Sequence, residues 1–99
     1  MNVNKAKILR VLLYTDTPVT YQILFASLGD EMSESVLWNN LQRLIAEKCV
    51  EEKPFRAEGI DPQDYRLSDR QGGHVPKVFY KETQRGIDKY EYFKEKGAI

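Results

Sequence analysis

Residues 35–46 carry the side chains whose types and spacing suit recognition of a polar surface. On a helix at 100° per residue, Ser35, Asn39, Gln42, Arg43 and Ala46 share one side, with Leu37, Leu41, Leu44 and Ile45 on the opposite side. No Asp or Glu falls on the polar side. Asn and Gln each present a donor and an acceptor side by side, which matches the edge of a base, and Arg43 can meet a phosphate or a guanine. A merely solvated face more often carries Lys and Glu. The chemistry such a face supports is binding rather than bond-making.

The rest of the chain offers little for catalysis. The single Cys49 and the single His74 make no zinc-ligand cluster, no Ser/His or Cys/His pair has an orienting group, and no glycine loop could cradle a phosphate. Neither an enzyme nor a bound cofactor or metal is expected. Cys49 cannot form an internal disulfide and reads as a small buried hydrophobe. With 15 basic and 15 acidic residues in 99, balanced between the two halves, the chain has no overall basic footprint, so any positive face must be assembled by folding. Apolar runs such as Val11–Leu13 and Ile23–Ala26 are too short to span a bilayer. Lys5, Lys7 and Arg10 alternate with apolar residues instead of preceding an apolar block, so no signal peptide and no membrane association are expected, and the chain is read as cytoplasmic.

The polar face must be held by neighbours. A first helix is expected over roughly 4–14, capped by Asn4 or Asn2, with Ile8, Leu9, Val11, Leu12 and Leu13 forming an apolar face wide enough to be covered on more than one side. Thr15–Pro18 is a turn. Thr20 caps a second helix, Val19 and Leu24 make a hydrophobic staple, Ile23, Leu24 and Leu28 point inward, and Gly29 suits a terminal position of positive φ. Only Asp30 to Met32 separate this helix from Ser33, the cap of the third. Two helices joined so tightly make a helix-turn-helix.

Val50–Arg56 reads as a strand leaving the core, with Pro54 tolerable only at an edge or bend. The polar stretch 57–73 reads as a mobile loop and Val75–Lys81 as a return strand, Val78 and Tyr80 facing one way and Lys77, Phe79 and Lys81 the other. Thr83 caps a last helix over about 84–96, ended by Gly97. The expected class is α+β, one domain over 1–99, with three helices, a two-stranded hairpin wing over 50–82 and a C-terminal helix.

That order is the order of a winged helix-turn-helix domain, and particular residues carry the likeness. Val36-Leu37-Trp38-Asn39-Asn40-Leu41-Gln42-Arg43-Leu44 resembles the recognition helix of PadR-like transcriptional regulators, with an aromatic at Trp38, a basic residue at Arg43 and leucines at Leu41 and Leu44. Tyr80-Lys81-Glu82-Thr83-Gln84-Arg85-Gly86 is similar to the Tyr-x-Leu-Thr-x-x-Gly that leads from their second wing strand into the last helix. Lys48 stands where a glycine usually ends the third helix, Glu82 replaces the leucine before Thr83, and the wing tip is longer than usual.

The resemblance implies a homodimeric regulator that binds double-stranded DNA, its third helix in the major groove and its wing on the flanking backbone. Ser35, Asn39, Gln42 and Arg43 would read the groove. Lys53, Arg56, Arg66, Arg70 and Lys77 would reach phosphates from the wing, opposed by Asp61, Asp64 and Asp69. Trp38 is expected to pack against Ile45 and the wing base, with exposure to DNA as the alternative. Tyr90, Tyr92 and Phe93 supply more aromatic area than a short last helix needs, so they are expected at the dimer interface, with monomer burial of Tyr90 and Phe93 as the alternative. A winged-helix module for protein association without DNA binding is the competing function.

Overall fold

The computed structural model describes residues 3–65 and 75–97. Its elements are α1 (Val3–Tyr14), α2 (Tyr21–Leu28), α3 (Glu34–Ala46), β1 (Val50–Pro54), β2 (Val78–Glu82) and α4 (Gln84–Glu95), with short 3-10 turns at Phe55–Glu58 and Pro62–Tyr65. The architecture is α+β: four helices and one antiparallel two-stranded sheet. α1 is the hub. It touches α2, α3, α4 and β2, and its Ala6, Ile8, Leu9 and Leu12 are buried, in keeping with an apolar face covered from several sides. Leu37, Leu41 and Leu44 of α3 are fully buried against it, and each stabilises by roughly 2 kcal/mol relative to exposure.

The hairpin pairs Val50 with Glu82 through to Pro54 with Val78, so both strands are shorter than the sequence suggested. Pro54 and Pro76 lack the N–H that would extend the ladder. Beyond Pro54 the chain does not exit to solvent: Phe55 is 1% exposed, with its ring against Phe79 at 5.0 Å and Tyr65 at 5.3 Å. Among the described residues, the chain after β1 forms two 3-10 turns, and Phe55 and Tyr65 pack there with Phe79 of β2. A further contact ties β2 to the helices, since the Tyr80 amide donates to the Val19 carbonyl at 2.8 Å. Val19 thus anchors β2 to the start of α2.

Caps set most helix limits. Thr20, Ser33 and Thr83 accept from the amides of Ile23, Val36 and Gly86 at 3.3, 3.3 and 3.1 Å. Asn4 lies inside α1 and is not its cap; Asn2 is outside the described residues. Gly29 has φ −61°, not a positive value, because the chain continues in right-handed turns, with Glu31 and Met32 donating to the Leu28 carbonyl. The left-handed turn falls instead at Lys48, φ +65°, after α3. There the Lys48 amide donates to Ile45 at 3.0 Å and the Cys49 amide to Leu44 at 2.9 Å, the paired bonds of a Schellman end.

A lysine pays a steric penalty in that conformation that glycine avoids, so Lys48→Gly raises stability by about 1 kcal/mol, read as a higher urea midpoint. An unchanged or lower midpoint contradicts this. Tyr80 supplies a second test. Burial first, then the nearby Glu52 carboxylate, push its phenol from 10.0 to about 12. The folded state therefore favours the neutral phenol, and that contribution is full below pH 10 and is lost as pH rises from 10 to 12. Tyr80→Phe flattens this alkaline decline, and an equal loss in both proteins between those limits refutes the assignment.

Candidate nucleic-acid interface

α3 has 13 residues and is about 20 Å long. Its leucine side is fixed in the core, so its polar side is fixed in direction. Ser35, Asn39, Arg43 and Ala46 are exposed, and Gln42 is half-buried. The neighbouring amide does the opposite of Asn39: Asn40 is 7% exposed and its Nδ2 donates to the Val36 carbonyl at 2.8 Å. Two adjacent asparagines thus divide between structure and surface.

The carboxylate nearest Arg43 in sequence is Glu47, one helical turn on, and it is engaged elsewhere. Lys5 of α1 donates to its Oε2 at 2.7 Å and Lys89 of α4 lies 3.4 Å from its Oε1. The Lys5 hydrogen bond, aided by the charges of Lys89 and Lys5 against the opposing effect of burial, holds the Glu47 carboxyl below its usual range. Arg43 makes no ion pair with a described residue. Of the four residues expected to read a groove, Ser35, Asn39 and Arg43 therefore stand exposed on one side of one helix, with Gln42 half-buried beside them.

The hairpin cations fare differently. Lys53 sits 3.2 Å from Glu58 and 3.9 Å from Glu51, so its charge is offset within the hairpin and it does not project freely to a phosphate. Arg56, in the first 3-10 turn, and Lys77, just before β2, are exposed. Arg66 and Arg70 lie outside the described residues, as does His74. Glu51 and Glu52 are exposed on β1. Among the described residues no group of three or more His, Cys, Asp and Glu side chains gathers to hold a metal, and no helix is long and apolar enough to cross a membrane.

Comparison with family models, curated proteins and solved structures finds no match.

Two aromatic expectations change. Trp38 does not pack under the hairpin base; it is 45% exposed on the flank of α3, with Tyr21 of α2 edge-on to it at 5.4 Å and 80°. Tyr90 and Phe93 are 5% and 4% exposed, buried by α1 and their own helix, so neither is open to a second copy. Of the three aromatics expected at a dimer interface, Tyr92 alone, at 52%, presents a ring outward, with Lys96 Nζ 5.7 Å from its centre. Tyr14, 67% exposed, lies edge-on to Tyr90 at 6.2 Å. The spacing of Tyr90 and Phe93 with Ile87 on one helical side was the signal for their burial. Nothing in the linear pattern marked Tyr21 as the partner of Trp38.

Proposed function

We propose that this chain is a sequence-specific double-stranded DNA-binding regulator of the winged helix-turn-helix kind, with α3 in the major groove and the hairpin as a wing against the backbone. The observation that carries this reading is the uncovered, carboxylate-free side of α3, where Asn39 and Arg43 stand one turn apart and Arg43 is unclaimed by any described carboxylate. A rigid helix presenting amide and guanidinium groups in one direction suits base-edge recognition. Phosphate contacts from the wing fall to Arg56 and Lys77 among the described residues. In a homodimer, as the resemblance to PadR-like regulators implies, α4 would meet its copy through Tyr92 rather than Tyr90 or Phe93.

The test is selection of bound duplexes from a random pool, followed by affinity measurements against salt. The expected result is an enriched sequence, palindromic if the dimer binds, with log affinity falling against log salt at about 0.9 per phosphate contact. No enrichment and no salt dependence sink the proposal. That outcome would favour a winged-helix module for protein association, a reading supported by the net charge of zero and by the exposed Glu51 and Glu52 at the hairpin base.

A further inference from the structure

We infer that Trp38, steadied by Tyr21, is the residue of α3 that senses the 5-methyl group of a thymine in the bound duplex. This rests on the DNA-binding reading above and adds a specificity determinant to it. Trp38 is the largest side chain on α3 and the only tryptophan in the chain, yet the core excludes nearly half of it. It is also held in place. The Tyr21 ring abuts it edge-on at 5.4 Å, and the Tyr21 hydroxyl donates to the Glu34 carbonyl at 3.4 Å, tying the pair to the start of α3. A fixed aromatic presents contact area at little cost in conformational entropy.

Position then selects the ligand group. Trp38 lies three residues after Ser35 and four before Gln42, so it borders the polar side along the helical rows that bring side chains together. In the major groove the apolar group on a base edge is the thymine methyl. Sugar carbons on the groove wall are the other apolar surface within reach, but they are the same for every base, so only contact with the thymine methyl group distinguishes thymine from its demethylated analogue.

The experiment uses the whole chain and a duplex recovered by selection, with each thymine replaced singly by deoxyuridine, which removes the methyl group alone. One replacement weakens wild-type binding about four-fold, the worth of one buried methyl group. Trp38→Ala binds the thymine and deoxyuridine duplexes equally, while Trp38→Phe, which keeps an aromatic face, retains part of the difference. Quenching of Trp38 fluorescence by the duplex gives an independent readout. Wild-type protein indifferent to every replacement, or Trp38→Ala still sensing one, overturns the inference while leaving DNA binding intact. Failure to recover any duplex overturns the DNA-binding reading, and this inference with it.

Discussion

Gly86→Ala destabilises the protein by about 3 kcal/mol, the upper range for a forced overpacking, although alanine is intrinsically the better helix former by about 1 kcal/mol. A Cβ at Gly86 would stand 2.1 Å from the Cys49 carbonyl oxygen and 3.3 Å from a Leu9 methyl group. The oxygen is backbone and cannot swing aside. It is also engaged, accepting from the Thr83 amide at 3.0 Å while the Thr83 hydroxyl donates to the Lys48 carbonyl at 2.6 Å. Relief of the clash requires α4 to move off the α3–β1 junction, which breaks both bonds and uncovers Leu9. Urea denaturation should show a lower midpoint with an unchanged slope. A midpoint equal to wild type would show that the junction tolerates the shift.

Asn39→Ala with Arg43→Ala abolishes preference for the selected site without unfolding the chain. Each lost base contact costs about 1–3 kcal/mol in discrimination, so the pair reduces preference by tens-fold or more. Both side chains are exposed and Arg43 has no described ion pair, so stability should stay within about 0.5 kcal/mol of wild type. The residues are one turn apart, and the single variants are needed because close neighbours need not act additively. Asn40→Ala is the matched control. It removes the Val36 bond from a buried amide, so it lowers the urea midpoint and leaves base preference in place in the protein that folds. If the double variant keeps wild-type preference, α3 does not read the groove through these residues.

Much of the layout was legible in the residues. The 3.6-residue spacing of Leu37, Leu41 and Leu44 defines a buried side for α3 whatever it packs against, and the complementary polar side follows. Thr20, Ser33 and Thr83 begin helices through bonds to amides three residues on, a local chemistry that needs no tertiary contact. These features span a few residues each, and short-range sterics decide them.

Other features depended on partners distant in sequence. Trp38 could be placed on a flank by periodicity, but its exposure follows from which side of α3 the Tyr21 ring occupies. Lys53 could be counted as a wing cation, but Glu58 returns to it only because a 3-10 turn follows β1. Gly86 matched a motif, yet its necessity is the approach of the Cys49 carbonyl, 37 positions earlier in the chain. The freedom of Arg43 likewise depends on α1 and α4 bringing Lys5 and Lys89 to Glu47. The sequence alone determined the helices, their buried sides and the polar content of α3, because backbone caps and apolar periodicity act within one or two turns. The tertiary structure decided which charges on that surface are offset and which aromatics stay exposed, because ion pairing and burial depend on groups that only the folded chain brings within a few ångströms.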